Sequence, residues 1–140
     1  MAPPDALEAN KALVRRYVEE AWNRGAPAAP FLAPNYRRHL APTLAPLTGP
    51  EQAARIAAFR EAFPDVRSTI DDLVAEGDRV AFRMTMRGTH RGAFRGVAPT
   101  GAAVEIGVVD VVRVEGGRLA EHWGGPDLLD ALRQLGVTLS

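Results

Sequence analysis

The sequence predicts an α+β fold, in which helices pack on one face of a curved antiparallel sheet. Two observations predict it. Apolar residues recur at helical spacing in the first half of the chain, whereas the second half alternates apolar and polar residues in β-rich segments. The turns Gly77-Asp78 and Gly116-Gly117 are too short for crossovers, so hairpins are the simplest connection. At 140 residues, the chain predicts a single domain spanning residues 1–140.

The first helix is predicted from Asp5 to Arg24, where apolar residues follow helical spacing and Gly25 ends the pattern. Prolines at positions 27, 30, 34, 42 and 46 then break any long element. They leave one short helix around Ala28 to Leu32. The segment PNYRRHLAP is therefore predicted to be a structured loop.

Two further helices are indicated by their end signals. Pro50 opens one of them, because the first helical position needs no backbone N–H, and Pro64 stops it. The other runs from Asp127 to Leu135, with Asp127 as its N-cap and Gly136 just past its end. The chain therefore closes with a C-terminal helix.

Four strands are predicted between these two helices, at Val66 to Glu76, Arg79 to His90, Ala102 to Val114 and Arg118 to Trp123. Period-two alternation defines the inward face of the second strand as Val80, Phe82, Met84, Met86, Gly88 and His90. In the third strand, Val104, Ile106, Val108, Asp110, Val112 and Val114 share a face. Asp110 is the only polar residue on that face.

Asp110 is the most informative residue of the sequence. A carboxylate on an apolar face loses hydration, which raises its pKa unless hydrogen bonds or a cation compensate. A partner must therefore lie opposite it. Asp110 is either a buried structural carboxylate, bonded to a Tyr, Trp or His, or the acid or base of a pocket.

The histidines allow two interpretations each. His90 ends the apolar face of its strand and either packs in the core or faces the mouth of a pocket. His39 lies in the predicted loop and is either exposed or part of the pocket entrance. With three histidines far apart in sequence, no metal site is predicted. On the opposite face of the sheet, Val109 and Val111 offer apolar area that a dimer partner could cover.

Composition narrows the class of function. Seventeen basic and seventeen acidic residues cancel, so no charge field favours nucleic acid or an anionic membrane as a partner. The chain has no cysteine, which excludes disulfides and thiolate catalysis. Neither a basic leader nor a run of 18 apolar residues is present, which predicts a soluble, cytoplasmic protein acting on a small molecule.

The region from Phe63 to Gly136 resembles the SnoaL-like polyketide cyclases, a branch of the nuclear transport factor two-like superfamily. The resemblance rests on Phe63-Pro64-Asp65, Gly77-Asp78, GTHRG from Gly88, Pro99-Thr100-Gly101, Arg113 with its turn, Glu121-His122-Trp123 and Gln134-Leu135-Gly136, in the same order and spacing. It extends more loosely over the N-terminal part. It implies a cone-shaped sheet wrapped around the N-terminal helices, a deep apolar pocket, a homodimer and no cofactor.

Family cyclases close a polyketide ring by an intramolecular aldol step on an enolisable methyl ester, with a carboxylate as acid and base. Aligned by the turn EGGRL, Gly124 occupies the position of that family Asp, and Asp110 the position of a pocket His. The related limonene epoxide hydrolases place an Asp at the position of Gly124, and an Arg and an Asp at those of Met84 and Met86. Epoxide hydrolysis by that triad is therefore not expected. The family register also turns His122 inward, which alternation alone does not decide.

The leading hypothesis is a cofactor-independent enzyme of the cyclase type, in which Asp110 is the base and His122 its partner or a donor to the oxyanion. The predicted substrate-binding residues are Trp22, His39, Met84, Met86, His90 and Val108. The alternative is a non-catalytic protein that binds a hydrophobic small molecule, and a third possibility is a dimerisation module with a filled cone.

Overall fold

The computed structural model describes residues 4–138. The helices are α1 (Pro4–Arg16), which continues as a π-helical segment (Tyr17–Asn23), then α2 (Gly49–Ala62) and α3 (Leu128–Gln134), with a 3-10 turn at Ala29–Phe31. The strands are β1 (Leu32–His39), β2 (Arg67–Glu76), β3 (Arg79–Thr89), β4 (Ala103–Glu115) and β5 (Arg118–Pro126). The α+β prediction, with a C-terminal helix, is confirmed.

Local sequence explains where the last two helices begin. Thr48 caps α2: its side chain accepts the N–H of Glu51, whose carboxylate in turn accepts the N–H of Thr48. Asp127 caps α3 by accepting the N–H of Asp130, as predicted. Gly136 follows α3 with a φ of 90°, a backbone conformation that favours glycine.

The five strands form one sheet in the order β1-β5-β4-β3-β2. Strands β2 to β5 pair with their neighbours in antiparallel fashion, whereas β1 lies parallel to β5 at the edge. The N-terminal helices cover the inner face, where the apolar residues of β3 and β4 are buried. None of the described helices has the length and apolar character needed to cross a lipid bilayer.

The prediction of a structured loop at PNYRRHLAP was wrong, because most of this segment is strand β1. Pro34 is compatible with a strand here, since β1 is an edge strand with one side free of pairing. The pairing partner of β1 is β5, and Arg38 lies beside His122 in the parallel register. A partner so distant in sequence leaves no local pattern to detect.

A β-bulge changes the parity of β5. Arg113 pairs with Glu121 and Val114 pairs with Leu119, so Ala120 is the extra residue. As a result Leu119 and Ala120 are both fully buried, although simple alternation places them on opposite faces. Beyond the bulge His122 points to the buried face, as the family register implied.

Candidate functional site

A cavity of about 630 Å³ lies between α2 and the inner face of the sheet. Its wall is mostly apolar and includes Trp22, Phe59, Met84, Met86, Val108 and Leu128. Among its polar side chains, four come from three different strands and one helix: Arg38 from β1, Asp110 from β4, His122 from β5 and Arg55 from α2. The cavity thus combines an apolar surface with a small charged region.

Arg38, Asp110 and His122 form a buried cluster, and each is at most 3 % exposed. Nη2 of Arg38 lies 3.5 Å from Oδ1 of Asp110, and Nε2 of His122 lies 3.3 Å from the same oxygen. Arg38 also donates to the carbonyl of Gly124 at 3.0 Å and contacts the imidazole at 2.8 Å. Despite these neighbours, Oδ1 has no partner with hydrogen-bond geometry among the described residues.

Two buried tyrosines accompany this cluster, and one of them, Tyr36, contacts it directly. The hydroxyl of Tyr36 lies 3.2 Å from Nδ1 of His122, and Tyr36 is 3 % exposed. Next to them, the buried Gln52 donates to the hydroxyl of Tyr17 at 3.1 Å. Burial raises the pKa of both tyrosines, so both hydroxyls are neutral.

Asp110 is ionised. Burial alone would raise its pKa, but the imidazole of His122 and the cations of Arg38 and Arg55 outweigh burial, so the pKa lies below its ordinary value. Arg38 is therefore the compensating partner that the sequence predicts for this buried carboxylate. Breaking such a pair is costly, because one charge stays buried without its counterpart.

His122 is neutral at pH 7. Burial lowers the pKa of its imidazole, Asp110 raises it in part, and Arg38 lowers it again, with a net pKa below 6.5. A neutral imidazole accepts a hydrogen bond on one nitrogen only. Nη1 of Arg38 lies 2.8 Å from both ring nitrogens, and Nε2 lies 3.3 Å from Oδ1 of Asp110. In the tautomer with the proton on Nε2, that N–H points toward the carboxylate and Nδ1 accepts from Arg38.

The neutral state of His122 predicts that stability falls in weak acid. Below pH 6.5 the unfolded chain binds a proton at this residue that the folded chain does not bind, so stability decreases as the pH falls. We expect a slope of at most about 1.4 kcal/mol per pH unit. Urea unfolding at pH 7.5, 6.5 and 5.5 measures it.

In the His122→Gln variant this slope should disappear, since glutamine does not titrate. The carboxylates with lowered pKa, including Asp65 and Glu121, have ordinary values of 4.5 or less and contribute below this window. An equal slope in wild type and variant between pH 7.5 and 5.5 would contradict a neutral His122.

Of the predicted substrate-binding residues, four line the cavity: Trp22, Met84, Met86 and Val108. The two other histidines lie elsewhere. His90 is fully buried, packs on Phe63 with ring centroids 5.5 Å apart, and accepts the N–H of Thr100 on Nδ1. His39 pairs with Glu121 at 2.7 Å and stacks on Trp123, on the other face of the sheet. The cavity wall includes neither of them.

Sequence reasoning missed Arg38, Tyr36 and Arg55. Arg38 and Tyr36 lie in the segment predicted to be a loop. Their spacing of two residues, which is typical of one face of a strand, is the signal that could have found them. Arg55 lies on α2 among alanines and shows no distinguishing pattern. Among the residues that the structure describes, no group of three or more His, Asp or Glu side chains is placed to hold a metal ion.

Gly124 and Gly125 make room for the charged cluster. Gly124 pairs with Asp110 in the sheet and has a φ of 93°. A Cβ atom there would overlap the carbonyl oxygen of Val109 and lie 3.1 Å from Cα of Asp110. At Gly125 a Cβ atom would lie 3.2 Å from Nη2 of Arg38. Position 124 is thus closed to a side chain by the neighbouring backbone and by the pair Arg38–Asp110.

Fold and site together define a class, the small α+β domains whose curved sheet encloses an apolar cavity with a few buried charged groups. The chain belongs to the SnoaL-like polyketide cyclase family, whose model matches residues 12–135. This confirms the resemblance found in the sequence. A search of curated proteins found no match.

Solved structures extend this comparison. IdmH, a proposed polyketide cyclase from Streptomyces antibioticus, is 33% identical with a TM-score of 0.79 over 91% of this chain and 99% of its own. TsrD from Streptomyces laurentii is also 33% identical, with a TM-score of 0.79 over 91% and 98%. AclR, a proposed hydroxylase from Streptomyces galilaeus, is 29% identical, with a TM-score of 0.84 over 96% and 89%.

Proposed function

We propose that this chain is a cofactor-independent enzyme of enolate chemistry, of the kind that closes a ring by an intramolecular aldol step. The family, together with the proposed cyclase IdmH and the proposed hydroxylase AclR, supports a cyclase-like or hydroxylase-like small-molecule enzyme. One observation carries the finer proposal. Asp110 is an ionised carboxylate on the wall of an apolar cavity, and its buried Oδ1 is flanked by the cation of Arg38 and the imidazole of His122.

Asp110 acts as the base. Its carboxylate takes a proton from a carbon next to a substrate carbonyl, and the electrons of the broken C–H bond move to the carbonyl oxygen. The enolate carbon then attacks a second carbonyl of the same substrate, forming the C–C bond. The resulting alkoxide recovers the proton from Asp110. No oxidant or metal takes part in this sequence, and all atoms remain in the product.

Arg38 supplies the electrostatic stabilisation. When Asp110 accepts the proton, the negative charge passes from the carboxylate to the substrate oxygen. The guanidinium of Arg38, which lies 3.5 Å from Oδ1, stays in place and balances the charge before and after the transfer. Because the cluster is buried, the cation is already oriented and no water must reorganise around it.

His122 holds this arrangement and donates to the oxyanion. As a neutral imidazole it accepts from Arg38 on one nitrogen and presents N–H toward the carboxylate with the other. Once Asp110 is protonated, that N–H is free to donate to the developing oxygen anion. Nε2 lies 3.3 Å from the carboxylate, so one substrate oxygen can contact both groups.

The alternative function is non-catalytic binding of a hydrophobic small molecule, which the mostly apolar wall of the cavity favours. In that case the cluster around Asp110 would only orient a polar group of the ligand.

One probe separates the two functions. 2-Naphthylacetone has an apolar body and an enolisable CH2 beside its carbonyl, and calorimetry reports whether it binds. Its α protons exchange with D2O at a rate that proton NMR measures. We expect the protein at pD 7.5 to accelerate this exchange above the buffer rate. Saturable binding with exchange at the buffer rate would overturn the enolate proposal and favour the binding protein.

A further inference from the structure

Arg55 is a cation of the cavity without a partner. It lies in the middle of α2, is partly buried and contributes to the cavity wall. Among the described residues, its guanidinium forms neither an ion pair nor a side-chain hydrogen bond. A guanidinium has five donors in a fixed fork, and no Arg55 nitrogen is both buried and unpaired, so these donors are open to water or to a ligand in the cavity.

The acidic neighbours of Arg55 are engaged elsewhere. Glu51, one helical turn earlier, is the natural (i, i+4) partner, but its carboxylate accepts the N–H of Thr48 at 3.0 Å in the capping box. Asp110 pairs with Arg38 and lies near His122. Glu51 and Asp110 are the acidic residues of the cavity wall, and neither forms an ion pair with Arg55.

The charges of the cavity do not balance without a ligand. Arg38 and Asp110 cancel, as do the exposed Arg95 and Glu51, His122 is neutral, and Arg55 adds one positive charge. Burial, with the nearby Arg38, lowers the pKa of Arg55 to about 10, so the side chain remains protonated at neutral pH. Arg95 also borders the cavity, but it is exposed to solvent, which satisfies its charge. An excess of one positive charge favours a ligand with one negative charge.

We propose that Arg55 binds a carboxylate of the substrate, so that the substrate is an apolar carboxylic acid with its enolisable carbon at Asp110. The part of this inference that places the enolisable carbon at Asp110 rests on the proposed function. A planar carboxylate matches the guanidinium fork in a bidentate contact, which a neutral ester cannot form. Arg55 is then a specificity-determining residue, and it offsets the repulsion between the substrate carboxylate and ionised Asp110.

Binding of two matched probes tests the inference. 2-Naphthylacetic acid and its methyl ester share one apolar body and differ in charge, and calorimetry at pH 7.5 gives both dissociation constants. We expect wild type to bind the acid at least tenfold more tightly than the ester. Arg55→Met should weaken binding of the acid by about tenfold to a hundredfold and leave the ester within about twofold. Arg55→Lys should weaken the acid less, because it keeps the charge and loses the fork.

Arg118→Met is the matched control, since Arg118 is an exposed arginine at the start of β5 outside the cavity wall. It makes the same change in net charge and should leave both affinities unchanged. Equal affinity of wild type for acid and ester would overturn the inference. So would the finding that Arg55→Met and Arg55→Lys each weaken binding of the acid and of the ester by the same factor. Binding needs no turnover, so an acid preference stands even if the exchange of 2-naphthylacetone fails.

Discussion

The Asp110→Asn variant is expected to lose at least about a hundredfold of the rate of deuterium exchange into 2-naphthylacetone, because an amide cannot accept the α proton. Asparagine has nearly the same shape, so the cavity and its affinity for the probe should change little. The variant leaves the cation of Arg38 buried without its counterion, which costs about 3–5 kcal/mol of stability. Exchange is therefore measured at low temperature, with circular dichroism confirming the folded state.

A control variant is needed to show that lost stability alone does not abolish the exchange. Leu13→Ala is the matched control, because Leu13 is 4 % exposed on α1 outside the cavity wall and its truncation costs about 2–5 kcal/mol. This variant should keep exchange close to the wild-type rate. If Asp110→Asn is folded, binds the probe and exchanges at the wild-type rate, Asp110 is not the base.

Substitution of Gly124 is expected to have the largest effect on folding. In Gly124→Ala the new Cβ overlaps the carbonyl oxygen of Val109, and alanine rarely adopts the φ of 93°. Backbone strain and overpacking together predict a loss of about 2–5 kcal/mol. Gly124→Asp should be worse still, since its carboxylate also crowds Asp110. Urea unfolding with a fluorescence readout gives the free energies.

The turn residue Gly117 separates the two causes of that loss. Its φ of 74° is also positive, but a Cβ there meets nothing within 4 Å. Gly117→Ala therefore carries the backbone cost alone, about 1–2 kcal/mol. A loss in Gly124→Ala no greater than in Gly117→Ala would show that the sheet accommodates a side chain at position 124, against the geometry described here.

Much of the fold can be predicted from local sequence patterns. Strands β3 and β4 alternate strictly, so the inward position of Asp110 followed from counting by two, and its burial confirms the face. The caps of α3 are likewise set by neighbouring residues, Asp127 and Gly136. Such features depend on interactions within a few residues of one another, which is why sequence patterns reveal them.

The charged cluster could be predicted only in part, because it depends on pairing between distant segments. Prolines around Pro34 suggested a loop, and nothing near β1 in sequence reveals that β5 accepts it as a parallel neighbour. Because strand β1 was not predicted, the side of the sheet on which Arg38 lies could not be predicted. The cation beside Asp110 therefore remained unidentified. In β5, alternation cannot give the faces of both Leu119 and Ala120, since one bulged residue resets it. Strand pairing and bulges both concern register, which tertiary contacts decide.

The parallel pairing of β1 with β5 also affects the order in which the protein folds. The pairs β2–β3 and β4–β5 are hairpins with two-residue turns, and such local pairings close quickly. The contact between Arg38 and His122 spans 84 residues, and β1 has no strand to join until β5 is in the sheet. Because closing so long a loop costs more chain entropy than closing a hairpin, we expect β1 to dock after the hairpins have formed. The carboxylate of Asp110 therefore acquires its cation late, and an intermediate made of the hairpins alone would lack the reactive centre.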